Sequence, residues 1–306
     1  MTKATERGGI LAVVALIFAN VALAFGPWFV RMADTGPVSA GFWRLTLALP
    51  ILFVIAVQQR EPLTGYRSAI WWLLALSGIA FALDIASWNF GIERTKLANS
   101  TLFGNMGSVI MVLYGFVISR AWPHRAELAA VALAIVGAAM LMGSSYELDV
   151  RNLIGDLFCL LAGMLYVVYL LSIRRIRSDL GSWSVLVWST VFGIGPMLAI
   201  ALLLGEPVWP TDWTPVLLLA LVCQLLGQGA MVYAVSHFSP VVLGIALLSQ
   251  PAIAAIIGWQ AFGETLSLTD TIGMVAIGAA LVLVRLPEAR CAARRAARLA
   301  ASPPAS

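Results

Sequence analysis

Charge is what this 306-residue chain has least of. Asp, Glu, Lys and Arg together make up 11% of it, against roughly 25% in an ordinary soluble domain. That is too little to cover a water-facing surface. The length alone would allow one large soluble domain or two smaller ones, and the missing charge excludes both. Cysteine and histidine are just as scarce. Cys159, Cys223 and Cys291 stand far apart, two of them in apolar runs, and His124 and His237 do not pair with them. Neither a structural zinc site nor a disulfide framework has the spacing it needs. A Gly-x-x-x-x-Gly-Lys phosphate loop is also missing, so ATP is not expected to drive the protein. No resident cofactor or metal is expected.

Apolar residues fill the space that charge leaves. They are 61% of the chain and the mean hydropathy is +0.93, so the apolar surface must face lipid. Ten runs are each long enough to cross a hydrocarbon core of about 30 Å as a helix. They lie near 10–30, 37–57, 69–92, 97–118, 127–144, 153–172, 183–204, 213–235, 240–262 and 268–286. Turn and charge chemistry separates them, as at Asp34-Thr35-Gly36-Pro37, Arg60-Glu61-Pro62 and Ser239-Pro240. The first run follows Lys3 and Arg7 as a signal peptide would. It lacks a small-residue cleavage site, and so reads as a retained helix.

The net charge of +4 reflects topology and calls for no nucleic-acid partner. With the N-terminus inside, fourteen Lys and Arg fall on the cytoplasmic side and four on the outer side (Arg31, Arg94, Lys96 and Arg151), with Arg44 left out because it lies within the second span. The bias places both termini in the cytoplasm, and an even number of spans agrees. The stretch 287–306 reads as a basic cytoplasmic tail.

The chain repeats itself. Gly9 to Met32 resembles Gly155 to Ser178, Pro50 answers Pro196, and Leu97 to Ile118 aligns with Val241 to Phe262 at a shift of 144. Residues 1–144 and 153–286 therefore form two copies of five spans. Five is odd, so the second copy is inverted in the membrane relative to the first. Inverted copies suit alternating access. The expected fold is an all-α polytopic membrane protein of ten transmembrane helices in two inverted five-helix repeats.

Several stretches carry a family likeness. They are Ala98-Asn99-Ser100-Thr101 through Asn105-Met106-Gly107-Ser108-Val109, then Val242-Leu243-Gly244 through Ser249-Gln250-Pro251-Ala252-Ile253, and finally Phe262-Gly263-Glu264-Thr265-Leu266 with Ile272-Gly273. Over roughly residues 9–286 the chain resembles the drug/metabolite transporter superfamily, in particular its EamA-type members. The first copy departs from the family pattern, with Gly107 at the proline position and Ile118-Ser119-Arg120 in place of Gly-Glu. Within that superfamily it is similar to bacterial inner-membrane exporters of aromatic and other amino acids. The resemblance implies efflux of amino acids, broad in range, without ATP. Efflux of drugs or other small metabolites is the alternative.

Polar residues at bilayer depth are costly and therefore informative. Asp84 is the only carboxylate near the middle of a span and shares a helical face with Ser77, Trp88 and Gly91. Three roles stand open for it: contact with a substrate ammonium, proton coupling, or a structural pair. Gln228 is its counterpart in the second copy, with Gln224 four residues earlier on the same face. Asn20 and Tyr166 correspond between the first and sixth spans, and Asn105 and Gln250 lie on the fourth and ninth. The candidate substrate site is thus Asn20, Asp84, Trp88, Asn105, Tyr166, Gln224, Gln228 and Gln250, in a cavity lined by spans 1, 3, 4, 6, 8 and 9. Amides also serve as interhelical hydrogen-bonding groups, so packing competes with binding for most of these residues.

An intramembrane enzyme would need a second Asp or a His beside Asp84, and the spans supply none. A phosphate-bearing substrate would want several cavity cations, and only Arg44 lies within a span. A transporter for a small zwitterion is expected, with the lipid bilayer and the substrate as its partners and a monomer as its working unit.

Overall fold

The computed structural model describes residues 2–92, 94–95, 97–119, 125–142 and 153–250, together with 252–253, 256, 260, 267–269, 271–280 and 282–283. The expected ninth and tenth spans are covered only in part. Glu264, His124, Cys291 and the basic tail lie outside the described residues, as do the side chains of Asn99 and Asn105.

Every regular element among the described residues is helical. In chain order they are α1 (Thr2–Ala24), α2 (Gly26–Met32), α3 (Pro37–Gln58), α4 (Ser68–Ile92), α5 (Leu97–Ser119), α6 (Arg125–Met142), α7 (Leu153–Ile176) and α8 (Ser182–Leu203). Then come α9 (Thr214–Leu218), a π-helical segment (Leu219–Gln228), α10 (Gly229–Val235) and α11 (Pro240–Leu247). Six continuous stretches are long and apolar enough to cross a membrane: Ile10–Met32, Pro37–Gln58, Ser68–Ile92, Leu153–Ile176, Ser182–Leu203 and Thr214–Val235. The protein is a multi-pass membrane protein.

Side-chain size is distributed as lipid demands. Along α1 the buried apolar positions are Ala12, Leu16, Ala19 and Ala22, whereas Ile10, Leu11, Val14, Ile17 and Phe18 are exposed. Water would reverse that order. In lipid there is no gain from burying large apolar groups, so helices associate through small residues that let backbones approach. Gly107 on α5 and Gly163 on α7 meet in this way. A Cβ on Gly107 would stand 2.3 Å from the Gly163 carbonyl oxygen, so any larger residue there would force α5 and α7 apart.

Two spans depart from the regular helices expected. The first is broken at Phe25, where Gly26 and Pro27 begin α2; proline suits the first turn of a new helix and cannot continue an old one. The eighth, Thr214–Val235, carries the π-helical segment in its middle.

α3 and α8 pack antiparallel and cap each other. The Glu206 carboxylate, just beyond the end of α8, accepts from the backbone N–H of Val38 at 3.3 Å and of Ser39 at 2.8 Å at the start of α3. At the opposite end the Glu61 carboxylate, just beyond α3, accepts from Ser184 N–H at 2.7 Å at the start of α8. The indole of Trp43 donates to the Val208 carbonyl at 2.6 Å, and that of Trp188 to Leu63 at 2.9 Å. Each residue and its match lie 145 positions apart. Both caps place a negative charge where unpaired N–H groups and the helix dipole favour one. The turns after the two helices match as well, with Arg60 at φ 54° and Gly205 at φ 67°.

Candidate functional site

Five of the eight expected site residues line one cavity of about 220 Å³. α4 supplies its most polar wall. Phe81, Asp84, Ile85, Trp88 and Asn89 follow helical spacing and face the same way. Asn89 Nδ2 donates to the Pro37 carbonyl at 2.7 Å, fixing the end of α4 to the start of α3. Trp88 lies over Gly104 of α5, where an added Cβ would collide with the indole ring. Gly104, Gly107 and Ser108 of α5, Gly163 and Tyr166 of α7, Leu219 and Gln228 of the π segment, and Leu247 and Gln250 complete most of the wall. The remainder comes from the α1–α2 break (Leu23, Ala24, Gly26, Pro27 and Val30) and from Gly41 and Arg44 of α3.

Asp84, Trp88, Tyr166, Gln228 and Gln250 therefore share a cavity. Two other expected residues do not line it. Asn20 is buried and turns its Nδ2 back onto its own helix, donating to Leu16 at 2.8 Å. Gln224 is fully buried behind the wall, where its Nε2 donates to Thr190 Oγ1 and its Oε1 accepts from Arg44, each at 3.1 Å. The side chain of Asn105 lies outside the described residues.

Arg44 was missing from the expected site, and it is the cation of the cavity among the described residues. Its Nε is held by Gln224, and its guanidinium carbon stands 5.5 Å from the centre of the Phe81 ring. Its two terminal nitrogens have no acceptor among the described residues, and neither lies within 4.0 Å of the Asp84 carboxylate. Asp84 in turn accepts no hydrogen bond from a described residue. A cation and an anion thus face one small space without closing on each other. Sequence did carry a signal for Arg44. It is the cation set within a span, in a chain with one mid-span carboxylate, and burying either alone is expensive.

An aromatic stack backs this pair. Phe81 stacks on Tyr169 at 4.4 Å between ring centres, and Tyr169 on Tyr166 at 5.8 Å. The Tyr169 hydroxyl donates to Gln228 Oε1 at 3.1 Å. The Tyr166 hydroxyl is buried beside Gln228 without a well-formed hydrogen bond.

A second space of about 220 Å³ adjoins the first, sharing Pro27, Val30 and Asn89 and continuing toward the α2–α3 turn past Ala33 and Thr35. The turn itself is tied to the segment before α9. Asp34 accepts from the Thr211 hydroxyl and amide, a contact that holds the exposed Asp34 carboxyl below its ordinary pKa. At the other end of the molecule Arg174 donates to the carbonyls of Val235 and Phe238, and Arg177 to Leu180 at 2.6 Å. The space thus continues toward the α2–α3 turn, and polar contacts between elements tie both ends of the molecule.

The sequence matches the EamA-like transporter family model twice, over residues 7–143 and 153–286. The chain belongs to the EamA-like transporter family. The relatives of this EamA protein include the threonine/homoserine exporter RhtA of Escherichia coli K12. It is 27% identical over 281 residues, covering 88% of this chain and 90% of that protein. An uncharacterised transporter of Archaeoglobus fulgidus is 24% identical over 272 residues, covering 88% and 94%. A crystal structure of a protein with no function in its description superposes with a TM-score of 0.73 at 15% identity, covering 92% of this EamA chain and 98% of its own. That similarity supports the fold alone.

Proposed function

We propose that this EamA protein is a secondary transporter exporting amino acids across the bacterial inner membrane, without ATP and without chemistry on its substrate. One observation carries it: a small cavity, walled by elements of both matched segments, that contains one cation, one carboxylate and amides against an apolar lining. The relatives named as threonine/homoserine exporters favour amino acids among small metabolites.

Transport proceeds by alternating access between two inverted five-span copies, 1–144 and 153–286, with both termini and the tail 287–306 in the cytoplasm. The reciprocal caps of α3 and α8 support the inversion, because matched contacts occur at opposite ends of antiparallel helices. The extension of the cavity toward the α2–α3 turn corresponds to the outward-facing arrangement under this topology. Exchanging conformations between the copies closes that path and opens its equivalent on the other side.

The test is uptake into liposomes holding the purified protein, with labelled amino acids offered with and without a proton gradient. Saturable movement of at least one amino acid is expected. Transport confined to other metabolites or drugs would replace the amino-acid reading with the general efflux alternative.

A further inference from the structure

We propose that Arg44 and Asp84 form a two-ended clamp that selects free α-amino acids by requiring both an unblocked carboxylate and an unblocked ammonium. This goes deeper into the export function proposed above and rests on it. Arg44 and Asp84 come from different helices, α3 and α4, and line the same cavity without an ion pair between them. Each is left with unused bonding capacity that faces the cavity. Arg44 is held from behind, since Gln224, itself bonded to Thr190, accepts from its Nε and leaves its two terminal nitrogens without an acceptor among the described residues. A guanidinium presented end-on suits a carboxylate, which accepts two parallel N–H bonds. When ionised, Asp84 presents acceptors alone, which suits an ammonium with three donors.

Charge balance decides the ligand class. A simple anion would satisfy Arg44 and leave Asp84 without a donor among the described residues. A simple amine would do the reverse, and a neutral molecule would serve neither. A zwitterion whose ammonium and carboxylate share one carbon meets both at once, and a low-dielectric surrounding strengthens both contacts. Gln228, the counterpart of Asp84, is neutral and engaged by Tyr169. Ser189, the counterpart of Arg44, donates to Leu186 in its own helix. The charged clamp therefore belongs to the first copy alone. Ile85, Trp88 and Leu247 remain to surround the substrate side chain.

The experiment is a ligand-induced shift in the melting of the purified full-length protein, which reports affinity through linkage. The probes are the twenty amino acids, followed by the N-acetyl and carboxamide forms of the best of them. For the wild type, each blocked form is expected to bind roughly 10- to 100-fold more weakly, the loss of one charge-assisted contact. In Asp84→Asn the penalty for N-acetylation disappears and that for the carboxamide remains; in Arg44→Gln the pattern is reversed. A merely structural role would weaken all probes together and would overturn the clamp. Equal wild-type binding of free and blocked forms would also overturn it while leaving amino-acid export standing. No response to any of the twenty amino acids would remove both. If a variant fails to fold, the wild-type series with blocked probes decides, and Asp84→Glu and Arg44→Lys serve as the conservative replacements.

Discussion

The third span of each copy occupies an equivalent place in the sequence, and the two are built differently. Ser68–Ile92 is one unbroken α-helix that carries Asp84 into the cavity. Thr214–Val235 is α-helical at its ends and π-helical from Leu219 to Gln228, carrying the neutral Gln228 in the matching position. π-Helical turns are rare, and they occur disproportionately at functional sites. Here the segment lets Gln224 reach Arg44 and Thr190 on one turn while Gln228 reaches Tyr169 on the next. Duplication thus supplied two similar frames. One frame holds the charges; the other supplies the neutral support that orients one of them.

Moving the charge is the severest way to break this comparison. The double change Asp84→Asn with Gln228→Glu puts the carboxylate in the matching place of the other copy, on the same cavity wall but against the Tyr169 hydroxyl. Amino-acid transport by liposomes should fall at least about 100-fold, the loss of a charge-assisted contact together with a newly buried charge. Retained transport would show that the copies are interchangeable at this position.

Straightening the second frame should cost nearly as much. Deleting Leu221, whose side chain is exposed, removes one residue and lets the segment close into an α-helix. Each residue turns an α-helix by about 100°, so Leu219 and Gln228 can no longer share one wall. Transport is expected to drop roughly tenfold or more, while the melting temperature changes by only a few degrees. A deletion variant that transports normally would mean the π-helical register has no role.

How much of this was legible beforehand depended on what each residue leaves visible in sequence. Hydropathy and spacing were enough for the six stretches found long and apolar enough to cross a membrane, and the repeat was visible in Pro50 and Pro196 and in the shift of 144. The π segment was not legible, because Leu219–Gln228 contains no proline and reads like any apolar helix. Asn20 was placed in the site on polarity and pairing with Tyr166, but an amide can satisfy its donor on its own helix four residues back, so depth alone does not reveal its facing. Arg44 lies inside a span, where the loop-charge rule for topology gives it no role and its depth is the remaining signal. The α1–α2 break was written in Gly26-Pro27, within a run read as a single span.

The reciprocal caps allow a finer comparison at smaller energies. Glu206→Ala should lower stability by about 1–2 kcal/mol, and Glu61→Ala by about 1 kcal/mol, as helix caps usually do. Glu206 should be the larger because it accepts from two amides and Glu61 from one. Chemical unfolding in detergent measures both, and the reverse order would contradict the assigned contacts.

The smallest effect belongs to the turns after α3 and α8. Arg60 adopts the left-handed backbone that Gly205 adopts without strain. Arg60→Gly should leave stability unchanged or raise it by up to about 1 kcal/mol, and Gly205→Arg should lower it by about 1–2 kcal/mol. The same unfolding measurement separates the two signs.

Alternating access by inverted copies, as proposed above, requires one cavity to face each side of the membrane in turn. It is tested most directly by placing a single cysteine at Trp88, with Cys159, Cys223 and Cys291 replaced, and exposing it to a membrane-impermeant thiol reagent. Labelling is measured in right-side-out and in inside-out vesicles. Modification from both sides is expected, with a transported amino acid slowing it from each. Modification from one side only, unaffected by any amino acid, would contradict the account.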